Sequence, residues 1–403
     1  MAWNIGANDV ANAMGTSVGS GALTLAGAVV LAGIFEFLGA TLVGTHVTET
    51  IRKGILETSM FSGEGSVLGP EGPKVLMIGM VSALLAAGLW LQIATTFGLP
   101  VSTTHSIVGA VMGFAFLAVG FRAISWGTVA KIVASWVLSP LLGAALAAAM
   151  FLFVTHWILQ SEEPADATRQ YGPHLIGLVS FILILSFIYK ALKNVFPDPP
   201  WWTVALASLL AGLTGYYVGR WMLGRSRGDP DRPFAYVERI FGRLQIGTAC
   251  YVAFAHGAND VANAVGPVAA VVQIATMGGL PEQVPVPGWI LLLGAVGIVI
   301  GLATWGYKVI ATIGSKITEL TPTRGFSAEF GAATTVLIAS RLGMPVSTTH
   351  TLVGAVIGVG FARGMAALDL RIIRRIVNSW VVTLPAAALF AALIFAGLRA
   401  LLL

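Results

Sequence analysis

The sequence predicts an all-α polytopic membrane protein, with about 12 transmembrane or re-entrant segments in two inverted-topology repeats. Three observations carry that expectation. Of 403 residues, 56% are hydrophobic and only 10% charged, where a soluble domain carries roughly a quarter charged. Apolar stretches of about 20 residues, the length a helix needs to cross a bilayer, recur from end to end. Finally, Gly-Ala-Asn-Asp-Val-Ala-Asn-Ala occurs twice, at Gly6–Ala13 and Gly257–Ala264, with each copy inside an otherwise apolar run.

In chain order the segments fall near 1–19, 22–45, 75–97, 102–120, 127–155, 173–195, 201–223, 240–275, 287–312, 326–341, 346–362 and 372–398. Those at 102–120, 326–341 and 346–362 are short. Prolines at Leu99-Pro100 and Met344-Pro345 separate neighbouring segments by only a few residues. That pattern suits re-entrant hairpins or broken helices better than two full crossings. Cys250 is the only cysteine, which excludes an intrachain disulfide and a cysteine-based metal cluster. No Asn-x-Ser/Thr sequon and no cleavable signal peptide are evident. A multi-pass protein of the inner (plasma) membrane, inserted by its own helices, is the expectation. The net charge of +5 is assigned to arginines in cytoplasmic loops and not to nucleic-acid binding.

The repeat extends beyond the octapeptide. Pro100-Val101-Ser102-Thr103-Thr104-His105 returns as Pro345-Val346-Ser347-Thr348-Thr349-His350, 245 positions on (345 minus 100). Ser135-Trp136 returns as Ser379-Trp380. Motifs in the same order at near-constant spacing indicate two fused homologous halves. The boundaries expected are 1–155 for the first repeat, 156–239 for connecting helices and a cytoplasmic loop, and 240–403 for the second repeat. From the start of one octapeptide copy to the start of the next there are seven segments, or five if the first hairpin dips in and out. Either number is odd, so the halves are expected to be inverted. Arg220, Arg225, Arg227, Arg232, Arg239 and Arg243 mark the connector as cytoplasmic. The loop near 276–288 lacks basic residues and should lie outside. The acidic loop at 156–174 runs against the count, but acidic residues weigh little in this rule.

Polar residues kept at membrane depth are costly and point to a solute or ion site. In the first octapeptide, Asn8 and Asn12 stand four residues apart and Asp9 and Asn12 three apart, so a helix carries them on one side. Gly6 permits an unwound entry that would free backbone carbonyls. A carboxylate, amide oxygens and carbonyls form a hard-oxygen set suited to Na⁺. Asn259, Asp260 and Asn263 repeat it. The bland alternative is polar packing between helices.

The second motif suits the opposite charge. After proline ends one helix, Ser102, Thr103 and Thr104 open the next, offering hydroxyls, free N–H groups and the positive end of a helix dipole to an anion. Ser347, Thr348 and Thr349 supply the partner site. Taken alone, plain N-capping explains these residues better; duplication beside an Asn-Asp cluster favours binding. Asp9 and Asp260 would repel an anion by several kcal/mol at low effective dielectric. Cations bound there would cancel the repulsion, so two symmetric cation sites flanking one oxyanion are expected. A carboxylate can accept the O–H of protonated phosphate, whereas sulfate has none to give. Phosphate is therefore the favoured anion.

Some polar residues break the symmetry. His256 stands where the first copy has Ile5, Glu36 has no acidic counterpart near Ile298, and Glu329 has none near Leu84. A third cation site, a proton relay and a structural pairing all remain open for them. For His256, His105 and His350 a hydrogen-bonded structural role is at least as good a reading as a functional one.

The two octapeptides, with Pro-x-Ser-x-Thr-His at Pro100–His105 and Pro345–His350, closely resemble the inorganic phosphate transporter (PiT) family, over roughly 1–140 and 240–390. The resemblance implies symport of inorganic phosphate with a cation in the bilayer, two inverted repeats, a homodimer and no covalent cofactor. The Gly-Ala-Asn-Asp form resembles the Na⁺-coupled branch. The family's essential polar residues match Asp9, Glu36, Ser102, His256, Asp260, Glu329 and Ser347 here. One departure is that only Met1–Ile5 precede the first motif, where the family has most of a helix; a truncated or misplaced start stays open. The soluble loop of some relatives is expected to shrink to about 225–239. The expectation is Na⁺-coupled phosphate symport by alternating access around a midplane site at the repeat interface. Proton-coupled phosphate transport and sulfate transport on the same fold are the nearest rivals. An intramembrane hydrolase built on Ser102, His105 and Asp9 lacks any accompanying nucleophile or zinc motif. Direct ATP drive lacks a Walker A sequence.

Overall fold

The computed structural model describes residues 1–44, 54–61, 66–190, 199–225, 232–278, 286–341 and 346–403. Regular structure within them is helical. The first octapeptide lies on α1 (Ala2–Asp9) and α2 (Ala11–Gly19). Then follow α3 (Leu25–Val43), α4 (Gly72–Thr96), α5 (Thr103–Ala118) and α6 (Trp126–Val154), the last running on as a π-helical turn over Thr155–Leu159. The connector is α7 (Pro164–Lys190) and α8 (Trp201–Arg225). The second half comprises α9 (Pro233–Met277), α10 (Gly288–Trp305), α11 (Tyr307–Ser315), α12 (Pro322–Arg341), α13 (Thr348–Arg363) and α14 (Leu370–Leu402).

Local chemistry sets many of these limits. The Thr24 hydroxyl caps α3 by accepting from the Gly27 N–H, and Asp369 caps α14 by accepting from the N–H groups of Arg371 and Ile372. Proline opens α4 and α9, where its missing N–H costs nothing. Gly278, at φ 75°, closes α9 in the left-handed region that glycine tolerates best.

Eight helices among the described residues are long and apolar enough to cross a membrane: α3, α4, α6, α7, α8, α9, α10 and α14. The sequence segments at 1–19, 102–120, 326–341 and 346–362 are helical but fall short of that test. At 1.5 Å per residue, the 16-residue α5 and α13 reach about 24 Å, less than the roughly 30 Å hydrocarbon core. Several boundaries move. The span expected near 240–275 is part of one 45-residue helix that starts at Pro233, so residues 233–239 of the polar loop expected over about 225–239 are helical. The 287–312 segment divides at Gly306 into α10 and α11. Pro173 sits inside α7, which already starts at Pro164, so most of the loop expected at 156–174 is helix. Met344, Pro345, Arg227 and most of the 276–288 loop lie outside the described residues.

The halves do not pack as separate bodies; they exchange partners. The first half's α6 packs on α12 and α13, while α14 of the second half packs on α4 and α5. Likewise α3 lies against α9 and α1 against α10. The exchange is reciprocal at the level of single residues. A Cβ on Gly113 of α5 would stand 2.1 Å from the Ala388 carbonyl of α14; one on Gly358 of α13 would stand 2.2 Å from the Ala144 carbonyl of α6. These glycines let helix backbones touch, the packing membranes favour because lipid provides no hydrophobic drive between helices. Leu76, Met80, Val111, Phe114 and Phe395 fill the core on one side. Ala147, Phe151, Ala328, Val353 and Val356 fill the other. The paired α7 and α8 join this body through α9.

Candidate functional site

All four motifs meet in one buried cluster. The amide nitrogen of Asn12 on α2 donates to the Thr349 hydroxyl at the start of α13, 2.8 Å away. Asp9 accepts from that same hydroxyl at 3.2 Å. In the mirrored contact, Asn263 on α9 donates to Thr103 and Thr104 at the start of α5, at 3.2 and 3.3 Å. Asp260 accepts from Thr348 at 3.3 Å. Asn12, Asp9 and Asn263 therefore reach the Ser-Thr-Thr motif of the opposite repeat, Asp260 meets Thr348 of its own, and two helix N-termini converge on the aspartates.

Close backbone contact makes this convergence possible. A Cβ on Gly6 would lie 1.8 Å from the Ile298 carbonyl of α10, and one on Gly257 would lie 2.2 Å from the Glu36 carbonyl of α3. The expected unwinding at Gly6 is not found: Gly6 and Gly257 both lie inside helices, and the ladder shifts only around Val10. These glycines serve helix approach instead of chain reversal, so no loosened carbonyls arise at either position.

One other sequence expectation is corrected. Asn8 is not an open cation ligand. Its amide nitrogen donates to the Thr95 hydroxyl and the Leu99 carbonyl, while its oxygen accepts from the Val101 N–H at 3.1 Å. Asn8 thus pins the Pro100 loop that delivers Ser102 to the cluster. Its counterpart Asn259 is half-buried on α9. Ser102 and Ser347 are the N-caps of α5 and α13, each hydroxyl oxygen accepting from the N–H of His105 or His350 at 3.2 Å. The capping reading holds for the serines, whose hydroxyl protons are still able to donate. The threonines carry the contacts between repeats.

The charged groups crowd together. Ligand atoms of Asp9, His256 and Asp260 all lie within 4.8 Å of one another, and the three residues are buried. His256 Nδ1 sits 2.9 Å from Glu36 Oε1, so this histidine links α3 to both aspartates. The structural pairing considered for Glu36 and His256 is present. At an effective dielectric near 20, two carboxylates about 5 Å apart repel by about 3 kcal/mol, so a bound cation would relieve real strain here. Asp9 Oδ2 and Asn12 Oδ1 have no hydrogen-bond partner although they are buried. Such orphaned acceptors suit a cation. A cavity lined by Asn12, His256, Thr348, Tyr251, Ala332 and Ala333 adjoins the cluster.

Glu329 on α12 stands apart with its own shell. It accepts from Thr16, Ser17 and Gln245 at 2.7, 2.7 and 3.1 Å, and also from Thr248. Sequence reasoning flagged the glutamate and missed its donors. The available signal was Gln245 and Thr248, three residues apart on one face of the helix that enters the second octapeptide. His105 and His350 take structural positions. Their rings meet edge to face at 4.3 Å, with Trp136 tilted against His105 and Trp380 stacked on His350. The Trp380 N–H donates to the Pro100 carbonyl at 3.1 Å.

Hydroxyls, two helix N-termini and two aspartates thus share one buried centre. The chain is 50% identical over 397 residues to a Pyrococcus abyssi protein named a phosphate permease, covering 98% of this chain and 94% of that one. It is 44% identical to the chloroplastic inorganic phosphate transporter 2-1 of Arabidopsis thaliana, covering 97% of this chain and 69% of that one. A solved structure described as a sodium-dependent phosphate transporter superposes with a TM-score of 0.89 at 43% identity, covering 100% of this chain and 97% of that one. The model of the phosphate transporter family matches residues 5–391. This multi-pass, all-helical chain belongs to the phosphate transporter family, a family of carriers and not of enzymes.

Proposed function

We propose that the protein is a Na⁺-coupled symporter of inorganic phosphate, working by alternating access around the four-motif cluster. The observation that carries this reading is the interleaving itself: two helix N-termini and four threonine hydroxyls share one buried centre with Asp9 and Asp260. An anion entering alone would meet two carboxylates. Cations at Asp9 with Asn12, and at Asp260 with Asn263, convert that repulsion into coupling, because each ion lowers the cost of the other. Ser102, Thr103, Thr104, Ser347, Thr348 and Thr349 hold the phosphate oxygens. The aspartates accept its O–H in any state where the cations leave a lone pair free. The similarity to a structure described as sodium-dependent supports Na⁺ as the coupling ion.

Reciprocal exchange of helices suits two repeats of opposite orientation, 1–155 and 240–403, rocking about the centre with residues 156–239 as the link. A homodimer in the inner membrane follows the family pattern. The deciding experiment is uptake of radiolabelled phosphate into proteoliposomes, under an inward Na⁺ gradient or under an inward proton gradient in choline, with excess sulfate as competitor. Na⁺-dependent uptake untouched by sulfate is expected. Proton-driven uptake would reassign Asp9 and Asp260 as proton acceptors, and strong competition by sulfate would remove the argument from the phosphate O–H.

A further inference from the structure

The transport scheme makes no use of the imidazole at the centre of the cluster, yet its geometry is specific. His256 Nε2 lies 2.8 Å from an Asp260 carboxylate oxygen and 3.7 Å from Asp9 Oδ2. Metal–ligand bonds of about 2.1 Å in a tetrahedron place ligand atoms about 3.4 Å apart, so these separations bracket what a single ion requires. Asp9 Oδ2 and His256 Nε2 are buried and lack a hydrogen bond of good geometry, although Nε2 stands 2.8 Å from Asp260 Oδ2. Asp9, His256 and Asp260 each offer one ligand atom, and these atoms all lie within 4.8 Å of one another.

The far side of the ring is fixed as well. Glu36, fully buried on α3, holds His256 Nδ1 at 2.9 Å. With the proton on Nδ1 shared with Glu36, the Nε2 lone pair faces the aspartates. A carboxylate behind a ligating histidine is the usual outer partner of a transition-metal site, where it sets the tautomer, aims the ring and raises its basicity. Sodium gains nothing from such an arrangement, because hard cations take oxygen, whereas imidazole suits Zn²⁺, Co²⁺ and Ni²⁺. Only one such set exists at this crossing, since Ile5 and Ile298 occupy the positions equivalent to His256 and Glu36.

We infer that Asp9, His256 and Asp260 bind one divalent transition-metal ion, positioned by Glu36, and that the bound ion arrests phosphate transport. Arrest rests on the proposed transport function; binding does not. The test titrates Zn²⁺ or Co²⁺ alone into the purified full chain in detergent, followed by calorimetry and by cobalt absorption in the visible range. One ion per chain is expected, undisturbed by excess Ca²⁺. His256→Gln should abolish the cobalt bands, and Glu36→Gln should weaken binding about 10- to 100-fold. Should either variant fail to fold, X-ray absorption at the zinc edge of the wild-type protein decides the matter. One imidazole with oxygen ligands supports the site, and a shell without imidazole overturns it. In proteoliposomes Zn²⁺, but not Ca²⁺, should stop phosphate uptake. Unchanged uptake at saturating Zn²⁺, or accumulation of ⁶⁵Zn with phosphate, would overturn the arrest. Absence of metal binding beside intact Na⁺-driven uptake sinks this inference and leaves the transport function standing.

Discussion

At the first octapeptide, Gly6 crosses the backbone of α10 at Ile298, and Ile5 precedes it. At the second, Gly257 crosses the backbone of α3 at Glu36, and His256 precedes it. The crossing is the same in both; one carries two isoleucines and the other a buried Glu–His pair at 2.9 Å. Backbone geometry is thus symmetric while charge is not. Symmetry belongs to what must pack, namely the glycines, the caps and the Asn–Thr contacts. Asymmetry belongs to the Glu36–His256 pair, since each buried charge needs a partner and a second such pair would have to be satisfied separately.

The largest expected effects test whether the two aspartates are equivalent. Asp9→Asn and Asp260→Asn should each lower Na⁺-dependent phosphate uptake more than 100-fold while membrane expression stays normal. Uptake within a few-fold of wild type by either variant would sink the site. Next comes the charged crossing. Glu36→Ile or His256→Ile alone should destabilise the protein by about 3–5 kcal/mol, because each leaves a buried partner uncompensated. The double change, which copies the Ile5–Ile298 crossing, should recover most of that loss in a double-mutant cycle read by thermal unfolding in detergent. Additive losses would mean that the pair is not coupled.

A smaller effect tests the symmetry of the scaffold. Gly113→Ala and Gly358→Ala should each cost about 1–3 kcal/mol through overpacking, and the two costs should be alike. A tolerated alanine at one of them would break the equivalence of the α5–α14 and α6–α13 contacts. The smallest effects belong to the caps. Ser102→Ala and Ser347→Ala should each cost about 1 kcal/mol of stability. Both should also weaken phosphate affinity, measured as the KM of uptake, if the hydroxyl protons reach the anion.

Much of this was legible in the chain. Long apolar runs are helices because a backbone in lipid has to satisfy its own hydrogen bonds, and the proline that ends one helix before Ser-Thr-Thr opens the next acts within a few residues. Asp9, Asp260, Glu36 and Glu329 stood out because a carboxylate in apolar sequence has no cheap explanation. Tertiary structure decided the pairings. Asn12 meets Thr349 across 337 residues and Asn263 meets Thr103 across 160. Asn8, next to Asp9 in the chain, turns instead to the Pro100 loop. Residues one apart on a helix point about 100° apart, and which neighbour waits in each direction depends on how the repeats exchange their helices. Sequence alone determined which stretches are helical and which polar residues stand inside them, because those depend on local chemistry and on the solvent. The partners of those residues were set by the fold, because a hydrogen bond is fixed by a few ångströms in space and not by distance along the chain.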